Sequence, residues 1–217
     1  MLRGRDIKRY KAEFADLYLI CTFPVLKIDI EQYPAIKNHL LSFGKRLHQT
    51  GETFLENGVS VSTRKKTGNK WFETQDQIAY YQDFEKEKIV WKRVGSILCF
   101  SYVEAGFYCL DSTCFIATDK ARYLAALLNS KVCHHELFET APKTGVGDLI
   151  ISVQALEPIH IPQPSEDLEK VFVELVDKIL ALKKAGKPTH SLEKEIDELV
   201  FEAYGLSAAE RALVLGG

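Results

Sequence analysis

Three prolines lie within eight residues, Glu157-Pro158-Ile159-His160-Ile161-Pro162-Gln163-Pro164, and the character of the sequence changes there. Proline fixes φ and lacks an amide donor, so such a cluster interrupts regular structure. Before it, short β-branched and aromatic runs are mixed with two helical stretches; after it, the pattern is helical to the end. The sequence therefore predicts an α+β fold: a mixed or antiparallel β-rich domain over residues 1–163, and a helical hairpin over residues 164–217.

The tail predicts two helices with one apolar seam each. The first has Ser165 as its N-cap and ends at Gly186-Lys187-Pro188; the second starts near Ser191 and stops at Gly205. Apolar residues recur at alternating spacings of four and three, at Leu168, Phe172, Leu175, Ile179 and Leu182, and then at Leu192, Ile196, Leu199 and Ala203. An antiparallel pair of this kind either covers the core of its own domain or docks on a partner, and both readings stay open.

The first part of the chain predicts a sheet with flanking helices. β-Branched and aromatic runs bounded by glycine or proline indicate strands over residues 17–23, 25–30, 89–94, 97–103, 112–118 and 149–153. Helical spacing of apolar residues predicts helices over residues 34–47 and 121–128.

Composition excludes several protein classes. Apolar residues make up 46% of the 217 residues and charged residues 27%, which is typical of globular proteins and not of disordered or membrane chains. The longest apolar run, residues 17–26, is too short to cross a bilayer. Five cysteines, an odd number in apolar surroundings, favour reduced thiols over a disulfide framework. We therefore expect a cytoplasmic protein without a membrane partner.

Charge is distributed unevenly along the chain. The net charge of −2 divides into +5 for residues 1–93, −3 for residues 94–163 and −4 for residues 164–217. A distant acidic region does not cancel a basic surface beyond a Debye length of about 8–10 Å. The first half can therefore attract a polyanion despite the negative total.

The most basic run is Arg64-Lys65-Lys66-Thr67-Gly68-Asn69-Lys70-Trp71-Phe72-Glu73. Lysine and arginine neutralise phosphates, glycine lets a backbone approach a groove closely, and an aromatic ring can pack on a sugar or a base. The alternative is a solvated lysine-rich loop without a ligand.

Several ordered segments resemble one family of DNA-modifying enzymes. They are Leu2-Arg3-Gly4-Arg5-Asp6-Ile7-Lys8-Arg9-Tyr10, Lys70-Trp71-Phe72-Glu73, Tyr81-Gln82-Asp83-Phe84-Glu85-Lys86-Glu87-Lys88-Ile89-Val90-Trp91, Gly106-Phe107-Tyr108-Cys109-Leu110-Asp111-Ser112-Thr113-Cys114-Phe115-Ile116 and Leu124-Ala125-Ala126-Leu127-Leu128-Asn129-Ser130. In this order they resemble the target-recognition domain of TaqI-like (Eco57I-type) DNA adenine methyltransferases and type IIG restriction–modification enzymes. The tail, Ile196-Asp197-Glu198-Leu199-Val200-Phe201-Glu202-Ala203-Tyr204-Gly205-Leu206, is similar to the helical end of type I specificity subunits.

The catalytic motifs of that family are absent from this sequence. It contains no Pro-Pro pair, as an Asn-Pro-Pro-Tyr motif requires, and Gly145-Val146-Gly147 lacks the third glycine of a cofactor loop. Only Asp6-Ile7-Lys8 matches the Asp/Glu-x-Lys element of a nuclease. The resemblance therefore implies a recognition module separated from its enzyme, with no catalytic, cofactor or metal site of its own. Its partners would be double-stranded DNA and a methyltransferase domain or subunit, and the intact parent would use S-adenosylmethionine and, if it cleaves, Mg²⁺.

Such a module needs phosphate contacts for register and base contacts for sequence. For register we predict Lys45, Arg46, Arg64, Lys65, Lys66 and Lys70, together with Lys143 and Thr144. For base reading we predict Arg93, which suits guanine, followed by Lys92 and Asn69. Because Lys92 and Arg93 are neighbours in a strand-like run, only one of them should face DNA. We expect Trp91 to pack in the core and leave Trp71 open between packing and DNA contact. Asp83 and Glu85 should form a salt-bridged turn with Lys86 and Lys88.

Three alternatives compete with this reading. Zinc could be held by Cys109, Cys114 and the Cys133-His134-His135 run, although the odd spacing of the first two cysteines places them on opposite faces of a strand. The chain could instead be a stand-alone half-length specificity subunit that docks on a separate methyltransferase. A protein–protein interaction domain without DNA binding is the third possibility.

Overall fold

The structure is a computed structural model and describes residues 1–216. The strands are β1 (Tyr10–Lys11), β2 (Thr53–Glu56), β3 (Val59–Ser62), β4 (Lys88–Lys92), β5 (Val94–Gly95), β6 (Phe100–Val103), β7 (Thr113–Ala117) and β8 (Leu149–Ile150). The α-helices are α1 (Pro34–Leu41), α2 (Ala121–Leu128), α3 (Lys131–Thr140), α4 (Val153–Leu156), α5 (Glu166–Lys184), α6 (His190–Ala203) and α7 (Ala208–Val214). This mixture confirms the α+β prediction.

The chain forms two compact units. Unit 1 combines Met1–Tyr18 with the described part of Asp83–Gly217, and unit 2 is Leu19–Gln82. Unit 2 is therefore an insertion between two segments of unit 1. The boundary predicted between residues 163 and 164 lies inside unit 1 and does not coincide with a boundary between the two units.

Unit 1 is built around a four-stranded mixed sheet with the strand order β1-β6-β4-β7. Strand β4 is antiparallel to both β6 and β7, and β1 is parallel to β6. Side chains alternate across a strand, so Ile89 and Trp91 pack into the large core cluster, whereas Val90 joins the small cluster of Leu2, Ile7 and Val103. The sheet is thus covered on both faces.

Helices α5 and α6 complete the large core cluster of unit 1. The predicted seam of α5 is buried at Phe172, Leu175 and Ile179. Of the predicted seam of α6 only Ile196 is fully buried, and Val200, next to the seam residue Leu199, is buried with it. All five buried residues belong to the cluster that contains Trp91. The predicted N-cap is confirmed, because the Ser165 side chain accepts a hydrogen bond from the amide of Leu168. Of the two roles left open for the tail, covering the core of its own unit is the one observed.

Unit 2 has a small core and one hairpin. Ile30, Leu40 and Phe72 form the buried cluster. Strands β2 and β3 pair in an antiparallel manner, and Asn57 and Gly58 between them have φ of 49° and 77°. Two central residues with positive φ make a type I′ turn, whose twist matches that of the flanking strands.

Several sequence predictions were wrong in detail. Residues 17–23 and 25–30 are not strands: 3-10 turns occupy Pro24–Leu26 and Ile30–Gln32. Pro24 and the left-handed Lys27 (φ 50°) interrupt the extended backbone there. The predicted strand over residues 149–153 is only β8, because α4 begins at Val153. The hairpin and the helices α3 and α7 were not predicted.

Candidate nucleic-acid interface

The basic run of unit 2 begins where β3 ends, and its first residue continues the strand pairing. The amide of Gly51 donates to the carbonyl of Arg64 at 2.9 Å, and the amide of Arg64 donates to the carbonyl of His48 at 2.9 Å. The loop after Arg64 is therefore anchored to the hairpin at its start.

Arg64 holds this loop together. Its Nε, Nη1 and Nη2 donate to the carbonyls of Leu47 (2.7 Å), Glu73 (2.8 Å) and Trp71 (2.6 Å). The side chain is half-buried, and burial lowers the pKa of the guanidinium. Arg64 was predicted to contact phosphate, but the structure places its guanidinium inside the loop as an organising group.

Two amide side chains extend this network. The buried Gln49 donates through Nε2 to the carbonyls of Lys70 (3.0 Å) and Glu73 (2.8 Å). Asn69, predicted to read bases, donates through Nδ2 to the carbonyls of Thr74 and Gln75, both at 2.9 Å. An amide nitrogen carries two hydrogens, so both donors of Asn69 are used within unit 2.

The remaining cations of unit 2 project from this framework. Lys65 and Lys66 are exposed, and neither ammonium has a hydrogen bond or an ion pair within residues 1–216. Lys45 lies 5.9 Å from the centre of the Phe54 ring. Arg46 donates to Glu56 at 2.7 Å but stays 57% exposed. Lys70 donates to the carbonyl of Ile28 at 3.3 Å.

These residues lie on one part of unit 2. Arg64 reaches the carbonyl of Leu47, which is the last residue of the 3-10 turn that carries Lys45 and Arg46. Trp71, left open by the sequence, is half-buried, packs edge-on against Phe72 and joins the small core. We call Lys45, Arg46, Lys65, Lys66 and Lys70, with Arg64 beneath them, the basic cluster of unit 2.

Unit 1 brings together the other predicted contacts. Strand β5 pairs with β8 through Val94–Ile150 and Gly95–Leu149, and Lys143 forms a β-bridge with Leu149 on its other side. Lys143 therefore lies two strand spacings from Gly95, roughly 9–10 Å. Thr144 closes the intervening turn, since its hydroxyl accepts from the amide of Asp148 at 3.0 Å.

Arg93 is fixed at the backbone and free at the side chain. Its amide donates to the carbonyl of Ser112 at 3.1 Å, and its carbonyl accepts from the amide of Ile151 at 2.8 Å. Lys92 and Arg93 are both exposed, and neither side chain has a hydrogen bond or ion pair in the described chain.

Sequence reasoning missed Arg5 at this edge. The adjacent Gly4 donates to the Ser112 hydroxyl at 3.0 Å, and a Cβ placed on Gly4 would lie 3.4 Å from Cγ of Lys92. Arg5 is exposed, and its guanidinium has no hydrogen bond or ion pair within residues 1–216. We call Arg5, Lys92, Arg93 and Lys143 the basic edge of unit 1.

The two remaining side-chain predictions have different outcomes. Trp91 packs in the core as predicted, with 1% exposure, and donates from Nε1 to the carbonyl of Ile151 at 2.8 Å. Lys86 forms the expected ion pair with Asp83 at 2.7 Å. Lys88 does not join that turn: it is buried, and its ammonium donates to the carbonyls of Phe84 and Glu104.

The cysteines considered as zinc ligands are dispersed. Cys109 packs against the small cluster of unit 1, whereas Cys114 and Cys133 belong to the large one. Burial raises the pKa of the Cys109 thiol to about 11 and that of Cys133 to about 12. Within residues 1–216, no group of three His, Cys, Asp or Glu side chains is arranged to hold a metal ion. Nor does any helix there combine the length and apolar character needed to cross a bilayer.

Comparison with known proteins supplies the family. No curated protein matches the sequence. The model of the TaqI-like C-terminal specificity domain matches residues 1–151, which include all of unit 2, the basic edge of unit 1 and strands β1 to β8. Since this match covers more than half of the 217 residues, the chain belongs to the TaqI-like C-terminal specificity domain family.

Proposed function

We propose that this chain is the sequence-specific duplex-DNA recognition module of a type IIG-like restriction–modification enzyme. A role in DNA recognition follows from membership of a family of specificity domains. The finer proposal is that the module positions DNA for adenine-N6 methylation by a methyltransferase domain or subunit. That partner would use S-adenosylmethionine, and Mg²⁺ if it also cleaves. Its setting would be the cytoplasm.

The observation that carries the proposal is the pair of unpartnered ammonium groups on the loop that Arg64 organises. Lys65 and Lys66 have no internal carboxylate to neutralise them, whereas Lys37 of the same unit is paired with Glu31 at 2.6 Å. Unpaired cations release condensed counterions when they meet phosphates, which is the main source of affinity for DNA. A loop already fixed by hydrogen bonds also loses less entropy on binding.

The basic edge of unit 1 supplies groups suited to reading sequence. Arg93 has an exposed guanidinium on a backbone held from both sides. A guanidinium donates two parallel hydrogen bonds to O6 and N7 of guanine, the commonest specific contact in the major groove. We assign base reading at this edge to Arg93, and phosphate contacts to Lys143 and Arg5. Lys92 directly precedes Arg93 in the chain and projects to the other side, so it is not assigned a DNA contact.

Separate phosphate contacts and base contacts suit a module that acts beside a methyltransferase. A methyltransferase that modifies a base in a duplex must rotate that base out of the stack and hold the flanking DNA in register. Phosphate contacts set the register and base contacts select the site. The residues described here supply both kinds of contact and leave the chemistry to the partner.

The test is the salt dependence of binding to duplex oligonucleotides. In the Lys65→Ala/Lys66→Ala variant, two phosphate contacts are lost, so the slope of log K against log salt should become shallower by about 2. A Lys37→Ala/Lys178→Ala variant removes the same charge from sites outside the basic cluster and should keep the wild-type slope. Equal slopes for wild type and the Lys65/Lys66 variant would refute the assignment of this loop to DNA.

A further inference from the structure

We infer that the hairpin β2–β3 of unit 2 is a base-reading ribbon that enters the DNA major groove and presents one face to the base edges. This rests on the proposed function and extends it, because no residue of the hairpin was among the predicted contacts. The reading face consists of Thr53, Leu55, Ser60 and Ser62, and we call it the outer face.

The strand register defines the outer face. Residues directly opposite in an antiparallel pair share a face, and the pairs Thr53–Ser62 and Leu55–Ser60 alternate with Phe54–Val61 and Glu56–Val59. All four residues of the outer face are exposed, with Leu55 at 75%. The strands form a sheet of their own and pair with no other strand of the described chain.

The opposite face is the one held by the unit. Phe54 and Val61 are half-buried there. The Glu56 carboxylate accepts from Arg46 and is neutralised on the side away from the outer face. Glu52, in the extension of the ladder, lies on that same opposite face. The outer face itself carries no charge, and a duplex approaching it would meet no carboxylate.

The dimensions of the ribbon suit a groove. Pairing continues beyond the strands to Thr63–Glu52 and Gly51–Arg64, so the ladder extends over six residues on each side. At about 3.4 Å per residue it is roughly 20 Å long. The major groove of B-DNA is about 12 Å wide and admits a two-stranded ribbon, whereas the minor groove, at about 6 Å, does not.

The chemistry of the outer face matches base edges better than phosphates. Hydroxyl groups both donate and accept, so Thr53, Ser60 and Ser62 can bond to any base. Leu55 is a branched apolar side chain with no partner surface in its own unit, and the thymine C5-methyl group is the apolar feature of the major groove. These small side chains also permit close approach of the backbone.

Cations flank the ribbon where phosphates would lie. Lys65 and Lys66 follow the end of the ladder directly, and a Cβ placed on Gly51 would lie 3.4 Å from Cβ of Lys66. Lys45 lies over the ring of Phe54, on the opposite face of the hairpin, so the cations that border the outer face are Lys65 and Lys66. An uncharged reading face bordered by exposed ammonium groups is complementary to a groove bordered by two phosphate strands, which identifies duplex DNA as the occupant.

The first experiment selects preferred sequences from a randomised duplex pool with the full chain. Leu55→Ala should relax the preference at one base-pair position by roughly tenfold, because an apolar contact to a base is lost. Its salt slope should stay unchanged. Val59→Ala is the matched control: Val59 is 63% exposed and lies on the opposite face of the same hairpin. Identical selected sequences for wild type and Leu55→Ala would overturn the inference.

The second experiment removes the thymine methyl group that Leu55 is inferred to contact. Replacing thymine by uracil in the selected duplex deletes only the C5-methyl group. At the position read by Leu55 this should weaken wild-type binding several-fold and leave binding by Leu55→Ala unaffected. An equal effect on both proteins would overturn the inference. The inference would also be overturned if the wild-type chain bound DNA with a steep salt slope but selected no sequence. That result would still be consistent with the proposed phosphate contacts. If Lys65→Ala/Lys66→Ala leaves the slope of log K against log salt unchanged, the proposed function of the loop is refuted instead.

Discussion

The two units place cations at their surfaces by different means. Unit 2 fixes its basic loop with side-chain hydrogen bonds from Arg64, Gln49 and Asn69 over a core of Ile30, Leu40 and Phe72. Unit 1 fixes Arg93 by backbone pairing on a sheet that the large core supports. A lysine or arginine in a basic run therefore has no single role. In unit 2 one member builds the loop, and its neighbours are free to bind.

The largest predicted effect tests the core of unit 1. Phe172 of α5 is fully buried against Tyr123, with ring centroids 5.4 Å apart. Phe172→Ala should lower the free energy of unfolding by about 3–5 kcal/mol, since it removes apolar contacts and leaves a cavity. Equilibrium denaturation in urea measures it.

The neighbouring residue provides the control for that substitution. Val171→Ala, at a side chain that is 41% exposed, should change the free energy of unfolding by less than about 0.5–1 kcal/mol. Similar losses for both variants would contradict the view that α5 is part of the unit 1 core and not an appended docking helix.

The second prediction tests the framework of unit 2. Arg64→Ala leaves the carbonyls of Leu47, Trp71 and Glu73 without their donor. We expect this to destabilise the loop by about 2–3 kcal/mol, because hydrogen bonds from charged donors to partly buried acceptors are costly to lose. Hydrogen exchange at the amides of Gly51 and Thr63 should accelerate accordingly.

A substitution at Lys65 tests whether loop stability and DNA binding depend on different residues of the basic run. Lys65→Ala should weaken DNA binding. It should change the opening free energy derived from those exchange rates by less than about 0.5 kcal/mol. Equal exchange in Arg64→Ala and Lys65→Ala would contradict the distinct role assigned to Arg64.

The smallest effect tests a half-buried histidine in unit 1, His134. Burial and the charge of Arg9, 3.4 Å away, lower the pKa of His134 to about 4, while Glu193 of α6 opposes the shift. The unfolded chain binds this proton near pH 6.5 and the folded chain only near pH 4, so stability is complete above pH 6.5 and is lost as the pH falls. Between pH 7 and 5 we expect a loss of about 1–2 kcal/mol.

His134→Gln keeps a hydrogen-bond acceptor for Arg9 but does not titrate. Its melting temperature should therefore fall less between pH 7 and pH 5 than that of the wild-type chain, as thermal unfolding at the two pH values would measure. Parallel decreases in both proteins would show that the pKa of His134 is the same in the folded and unfolded chains and that another group sets the pH dependence.

Local patterns predicted the elements whose signals are local. The prediction for α2 matches its observed bounds, and those for α5 and α6 are within about one residue, because apolar spacing, caps and breaks all act within a few residues. The Asn57-Gly58 hairpin carried a signal of the same kind that the sequence analysis did not use. The strand predicted over residues 17–23 is absent, since apolar character alone does not distinguish a strand from an exposed irregular segment.

Residue type and short-range order were enough to predict the fold class, the helices of the tail, the basic run and the resemblance to a specificity domain. Which cations remain free depends instead on contacts formed in the folded chain. Arg64 and Lys65 are adjacent and equally charged, yet the carbonyl of Leu47 lies 17 residues away in sequence and meets only Arg64. Whether a cation is bonded inside the loop or exposed depends on the acceptors that folding brings near it. Local composition does not reveal such long-range contacts.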